Sequence, residues 1–242
     1  MLHTVKLDII LLMNDSINHL PLELLKSRLY LELFVYPGSA NYYWSDDYSA
    51  KYYIAAAKAG FISVTEEFKG NELLIPEIQH NYALLDFKDL HISRKVKKLL
   101  RQKNLELKIS EDLEPVFYGI NSLHKNSWLS RKYLNTLKAT KGVDSNFKAL
   151  SFYIEENGVI VAGELGYIIG KTYTSLSGFC LREKPYNNYG TAQLVLLAKY
   201  LEQNNFAFWN LGHPHMSYKK ALGAKVYSRA EFLKRWREEV RV

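Results

Sequence analysis

The sequence predicts an α+β protein, and three observations point there. Between Lys148 and Cys180, three β-rich runs follow one another across short turns. After them a helical stretch, a strand, a short helix and a last strand alternate, which describes a mixed, mostly antiparallel sheet with helices packed on it. Before residue 88, shorter strands mix with one clear helix, so a smaller α/β domain is expected over 1–88 and a larger one over 89–242.

Taken in order, Leu22 to Lys26 reads as a short helix. Leu29 to Tyr36 is apolar and β-rich, and Pro37-Gly38 ends it as a turn. Ser45, Asp46 and Asp47 are N-cap candidates for a helix through the alanine-rich run that Gly60 stops. Phe61 to Thr65, Glu72 to Ile78 and Tyr82 to Phe87 read as short strands. His91 to Lys103 is helical, with Ser93 as cap and Val96, Leu99 and Leu100 as its buried stripe. Leu105 to Ile109 is strand-like. Leu113 to Lys125 and Ser130 to Thr140 are helical, with Trp128 on the connection. Lys148 to Ile154, Val159 to Tyr167 and Lys171 to Cys180 are strands joined at Glu155–Gly158 and at Ile169–Lys171. A helix over Tyr189 to Gln203, a strand over 206–211, a short helix over 215–223 and a closing strand over 224–232 complete the chain.

Composition bounds the function. The 242 residues are enough to bury a core without staples. With 48% apolar and 24% charged residues, the chain is neither disordered nor fibrous. A single cysteine, Cys180, excludes an internal disulfide and a multi-cysteine zinc site, and no metal is expected. Leu7 to Met13 is far too short to span a membrane, and no export signal precedes it. A cytoplasmic monomer without a membrane partner is expected. The excess of 32 Lys+Arg over 25 Asp+Glu gives +7 and favours an anionic partner.

That charge is concentrated. Arg94, Lys95, Lys97, Lys98, Arg101 and Lys103 fall within ten residues without an acid. Arg94, Lys97, Lys98 and Arg101 recur at i, i+3, i+4, i+7 and share one helix face, where like charges repel unless an external polyanion neutralises them. A solvated face is the plain alternative to a nucleic-acid contact. Phosphate contacts of this kind carry no base information.

From Lys148 onward the chain resembles the GNAT acyltransferase fold, through the hairpin, the strand KTYTSLSGFC, the helix after it and the ending SYKKALGAKVYSRAEF. A wider match is collinear: AAAKAGF, DLHISRKVKKLLR, NSWLSRKYLNTL, the hairpin with its third strand, and ALGAKVYSR. Together these resemble bacterial leucyl/phenylalanyl-tRNA–protein transferases, which attach an amino acid from aminoacyl-tRNA to a protein N-terminus. The resemblance implies a GNAT-like domain with aminoacyl-tRNA as co-substrate, no further cofactor, and a protein or peptide N-terminus as acceptor. It implies that Arg94, Lys95, Lys97, Lys98 and Arg101 contact tRNA. It also implies that Trp128, Tyr153, Ser177 and Phe179 line the aminoacyl-adenosine pocket, Trp128 having a core-edge aromatic as its alternative. Ala162, Gly163 and Gly166 match small residues of the family's hairpin, where backbones approach closely.

The departures from the family lie at its polar site. The family's glutamate on the third strand corresponds here to Leu176, and its Asp-x-Gln corresponds to Asn210-Leu211-Gly212. Asn210 is the remaining catalytic candidate: it can orient an acceptor amine by hydrogen bonding but cannot act as a base. His213 and His215 are candidates for a replacement base, with loop histidines as the plainer reading. Glu164 is a further acid whose facing the alternation leaves open. Without an acid at 176, 210 or 212, an acceptor other than the family's basic N-termini is expected. Two other readings stay open. One is a CoA-dependent GNAT N-acetyltransferase, in which Asn187-x-x-Gly190-x-Ala192 would hold the pyrophosphate; the other is a non-catalytic tRNA-binding relative.

Overall fold

The computed structural model describes residues 17–240. Leu7 to Met13 lies outside the described residues. In chain order the elements are β1 (Asn18–His19), α1 (Leu22–Lys26), a helical segment α2 (Arg28–Tyr30) that runs into a π turn (Leu31–Val35), and β2 (Tyr43–Trp44). Then come α3 (Ala50–Lys58), β3 (Ile62–Phe68), β4 (Asn71–Glu77), β5 (Asn81–Leu85), α4 (Arg94–Gln102), β6 (Lys108–Ser110), α5 (Glu114–Leu123) and α6 (Arg131–Ala139). The last part holds β7 (Phe147–Glu156), β8 (Val159–Ile169), β9 (Thr172–Cys180), α7 (Tyr189–Gln203), β10 (Phe208–Asn210), α8 (Ser217–Leu222), β11 (Lys225–Ser228) and α9 (Arg229–Glu239).

A seven-stranded sheet in the order β11-β5-β10-β9-β8-β7-β6 is the frame. Its pairs are antiparallel except β9–β10, which run parallel because α7 carries the chain back across the sheet. This is the mixed, mostly antiparallel sheet expected of the α+β class. β3 and β4 form a separate hairpin. The expected boundary at residue 88 falls just after β5, which lies inside the large sheet between β10 and β11. The segment before 88 thus contributes a strand to the sheet of the segment after it.

Period-two alternation sorts neighbours onto two faces. Phe208, Tyr167 and Leu165 join α3, α5, α6 and α9 in one apolar cluster. Trp209, Tyr173 and Phe152 join α4 and α7 in the other.

Two expected strands are corrected. Leu29–Tyr36 is helical: Ser27 Oγ caps it by accepting from the Tyr30 N–H, and the buried residues are Leu31 and Val35, one helical turn apart, while Leu29, Leu33 and Phe34 are exposed. The apolar run suggested a strand, but its burial follows the helical period. The closing strand stops at Ser228. There Ser228 and Glu231 form a capping box that starts α9, a signal contained in the sequence Ser-Arg-Ala-Glu. The alanine-rich helix is capped by Ser49 rather than by Ser45, Asp46 or Asp47, because Ser45 and Asp47 are used in the turns leading up to it.

Candidate active site

β9 and β10 are paired from Thr172↔Phe208 to Thr174↔Asn210 and then part. After Asn210 the chain swings to β5: the Leu211 N–H donates to Ala83 O, and the Ala83 N–H donates to Gly212 O. β9 continues to Cys180, so from Ser175 onward only β8 flanks it. A bulge at this point makes Leu176 the extra residue opposite Leu165 and Gly166. Strands that diverge at their carboxyl ends open a crevice there. Two glycines allow it. A Cβ at Gly166 would lie 2.2 Å from Tyr173 Oη and 2.4 Å from Thr174 O, and Gly212 has φ +69°.

Polar groups gather in the fork. Glu164 on β8 is 4% exposed and accepts hydrogen bonds from Tyr173 Oη (2.7 Å) and Ser175 Oγ (2.7 Å). Trp209 Nε1 donates to Ser175 Oγ at 2.8 Å. Burial pushes the Glu164 carboxyl up to about 7, against the opposing pull of the two hydroxyls and Lys219. Lys219 on α8 is 4% exposed and donates to Leu211 O (2.5 Å) and His213 O (2.6 Å). Burial lowers its ammonium to about 8, while Glu164 and Glu77 pull upward. Lys219 thereby pins the turn that carries His213.

Asn210 is fully buried within this turn. Its Oδ1 accepts the Gly212 N–H at 2.9 Å, and its Nδ2 lies 3.4 Å from Thr174 Oγ1. The geometry commits its side-chain oxygen to the backbone it supports. Facing the same turn from β4 are Glu77 and, just after it, Gln79. Glu77 Oε1 is 3.4 Å from His213 Nε2, and Gln79 Nε2 is 3.4 Å from Glu77 Oε2. His213 stacks on His215 with ring centroids 4.5 Å apart.

The remaining expected residues sit elsewhere on the frame. Tyr153, Gly163 and Phe179 are direct cross-strand neighbours on β7, β8 and β9. Phe179 packs against Gly119 of α5, where a Cβ would come within 2.3 Å of the ring. Ser177 is half-buried opposite Leu165. Trp128 packs edge-on against Tyr133 at 5.0 Å, and its carbonyl accepts from Thr65 Oγ1. Trp128, Tyr153 and Phe179 all pack in the apolar cluster of the α5–α6 face.

On the opposite face, α4 buries Val96 and half-buries Leu99 and Leu100 against the α7 cluster, and Ser93 caps it. Arg94, Lys95, Lys97, Lys98 and Arg101 are exposed, and among the described residues no acid pairs with any of them. Lys103, just past the helix, pairs with Glu156 at 2.7 Å. At the start of α7, Gly190 has a packing reason of its own: a Cβ there would lie 3.0 Å from Cys180 Cβ.

Residues 84–237, well over half of the chain, match the leucyl/phenylalanyl-tRNA protein transferase family. The chain belongs to this family. The matched segment takes in the basic helix, Trp128, the β7–β9 meander, Asn210 and Lys219, and it leaves out Glu77 and Gln79. No curated protein sequence matches the chain significantly. Similar solved structures include the C-terminal domain of an Agrobacterium fabrum protein assigned as a lysylphosphatidylglycerol synthetase (15% identity, TM-score 0.40, covering 69% of this chain and 52% of that one). Others are FemX (8%, 0.44, 62% and 60%) and L-PGS from Bacillus licheniformis (13%, 0.37, 63% and 46%). The chain spans about half the length of these structures. Among the described residues, no helix is long and apolar enough to cross a membrane, and no group of three or more His, Cys, Asp and Glu is arranged to hold a metal ion.

Sequence reading missed Glu77, Gln79 and Lys219. Glu77 closes an ordinary strand, and Lys219 belongs to a Lys-Lys pair on a short helix, a pattern of solvated residues. Only the packing of β4 and α8 against the 211–213 turn brings them together.

Proposed function

We propose that this transferase-family protein joins the amino acid of an aminoacyl-tRNA to the amine of a protein or peptide N-terminus. The observation that carries the reading is the unpaired cationic face of α4 inside the family-matched segment. Arg94, Lys95, Lys97, Lys98 and Arg101 hold the tRNA backbone, gaining from released counterions. Trp128, Tyr153, Ser177 and Phe179 receive the aminoacyl-adenosine end, and Asn210 shapes the turn that receives the acceptor.

In the reaction the acceptor nitrogen attacks the ester carbonyl. The carbon–oxygen bond to the terminal ribose breaks, and the amine's proton ends on that ribose oxygen. The ester is already activated and an α-amine near pH 8 is partly neutral, so positioning and charge stabilisation supply most of the rate without a cofactor. The reaction belongs in the cytoplasm, with aminoacyl-tRNA as co-substrate.

The test is incubation with charged tRNAs and a peptide library, read by mass. The expected result is a gain of one aminoacyl residue on the peptide amine. No gain with any charged tRNA, together with acetyl transfer from acetyl-CoA, would favour the CoA-dependent reading; tRNA binding without either transfer would favour a non-catalytic relative.

A further inference from the structure

A cavity of about 530 Å³ lies away from the sheet fork, between α1, the π turn, α3 and the end of α9. Small-molecule sites span roughly 300–1,000 Å³, so this one has the volume of a ligand site. Glu77, Glu164, Asn210, His213 and Lys219 do not line it, and neither does any residue of α4. Most of its wall, from Leu25 to Ala59, precedes the family-matched segment, so neither the family nor the transfer reading accounts for it.

Helical spacing builds the cavity. Leu25, Arg28, Leu31 and Glu32 recur at steps of three and four, and so do Lys51, Ile54, Ala55 and Lys58 on α3, so each set lines the cavity from one side. Leu25, Leu31 and Ile54 are buried and make the floor apolar. Ala55 and Ala59 are short, which leaves the space above them open.

The rim is cationic. Lys26, Arg28, Lys51, Lys58 and Arg237 line the cavity with only two acids, Glu32 and Asp144. Lys58 pairs with Asp144 at 2.5 Å. Arg237 pairs with Glu32 at 2.9 Å, and Arg28 lies 3.7 Å from that same carboxylate. Lys26 and Lys51 are exposed and have no acid partner among the described residues. Helix dipoles explain part of this set, because Lys26, Lys58 and Arg237 stand in the last turns of α1, α3 and α9. They do not explain Lys51, which stands in the first turn of α3, the end where a helix disfavours a cation. The excess of positive charge beside an apolar floor lacks a counter-charge within the cavity lining.

We propose that this cavity binds a small amphiphilic anion, a carboxylate or phosphate group on an apolar body. The body displaces water from Leu25, Leu31, Ile54 and Ala55, and the head group supplies the counter-charge that the rim lacks. A neutral amphiphile gains only the first contribution, and inorganic phosphate only the second.

The test is calorimetry on the full chain with octyl phosphate below its micelle concentration, against octanol and inorganic phosphate. Octyl phosphate is expected to bind about tenfold more tightly than either. Lys26→Gln combined with Lys51→Gln changes only exposed, unpaired side chains. It should weaken octyl phosphate about fivefold and leave octanol unchanged. Ala55→Leu fills the cavity and should weaken both; if that variant does not fold, the lysine variant still decides. Lys97→Ala combined with Arg101→Ala should leave octyl phosphate binding at the wild-type level. Octyl phosphate binding no tighter than octanol or phosphate overturns the site. So does full retention in the lysine variant, or loss in the α4 variant. Vesicles of phosphatidylcholine containing phosphatidic acid identify the source of the anion. Sedimentation with them that the lysine variant loses assigns a bilayer lipid; octyl phosphate binding without sedimentation assigns a free ligand.

Discussion

On α4, Arg94, Lys95, Lys97, Lys98 and Arg101 stand in water without a partner, whereas at the fork of β9 and β10 Glu164, Lys219 and Glu77 are buried and tied to fixed neighbours. The first region keeps its charges cheaply, because water solvates them and screening weakens their repulsion. It can trade that solvation for phosphates at little structural cost. In the second region every charge has lost its water, and each must be held by named hydroxyls, carbonyls or a counter-charge. Exposed charge therefore belongs to one helix and acts through its sum. Buried charge belongs to five elements at once and acts through geometry.

The largest expected effect lies under the fork, at Arg229. Its guanidinium is buried without a carboxylate: the carbonyls of Val35, Tyr36, Gly38, Ala40, Ile78 and Gln79 all accept from it, with Gly38 closest at 2.7 Å, and His80 Nδ1 lies 3.2 Å from it. Arg229→Met fills much of the volume but strands these acceptors. It should cost at least about 3 kcal/mol and lower Tm by roughly 10 °C. Urea unfolding measures the loss, and tRNA affinity of the still-folded variant well below its Tm should stay near wild type. A loss below about 1 kcal/mol would mean that water or other donors satisfy those carbonyls, and that the fork is less interlocked than its contacts imply.

The same contrast explains what the sequence could tell. α4 was legible down to its cap: Ser93 and the Val96, Leu99, Leu100 stripe lie within ten residues of one another, and local spacing decides them. The β7–β9 meander was legible for the same reason, from its turns and alternation. The Leu29–Tyr36 segment was not, since an apolar run of that length reads either way until burial selects one period. The fork was legible only as a set of departures. Asn210 and Gly212 show that the family's acid and amide are absent there, and the sequence accordingly suggested an uncharged acceptor site. Glu77 and Gln79 lie more than a hundred residues upstream, and only the insertion of β5 between β10 and β11 sets them beside Gly212. Nothing in their local sequence marks that contact, which arises from three-dimensional packing alone.

A second, smaller effect is the pH dependence of stability. Burial holds the Glu164 carboxyl up to about 7 against an ordinary 4.5. The folded protein therefore keeps a proton that the unfolded chain releases between these values. Its contribution is fully present below about pH 4.5 and is lost as pH rises through about 7, a change of ~3 kcal/mol. Lys219, lowered to about 8 from 10.5, contributes above about pH 10.5 and loses that contribution as pH falls through about 8. Glu164→Gln keeps the shape and a partner for Tyr173 and Ser175 while removing the titration. Urea unfolding from pH 4.5 to 8 should show the wild-type decline flattened in the variant, by up to ~3 kcal/mol in the difference between the two ends. Parallel curves for wild type and variant would show that Glu164 is solvated enough to ionise normally.

The smallest effect on the fold, and the sharpest on binding, is expected at α4. Lys97 and Arg101 are one helical turn apart and exposed, while Val96 is buried, and neither makes an ion pair among the described residues. Replacing both by alanine removes no buried contact, and alanine favours helix, so unfolding free energy should stay within about 0.5 kcal/mol of wild type. It also relieves the i, i+4 repulsion within the helix. Binding should respond quite differently. Each cation that meets a phosphate releases counterions, so the double variant should bind tRNA more weakly. The slope of log affinity against log salt should then be less steep by about two. Because these contacts read no bases, different tRNAs should lose affinity by a similar factor. The measurement is a salt titration of tRNA binding for wild type and the double variant, with Lys199→Ala, at an exposed position of α7, as a control for overall charge. If the double variant keeps the wild-type slope, or if the control lowers it equally, the α4 row acts only as a solvated face and the tRNA must be held elsewhere.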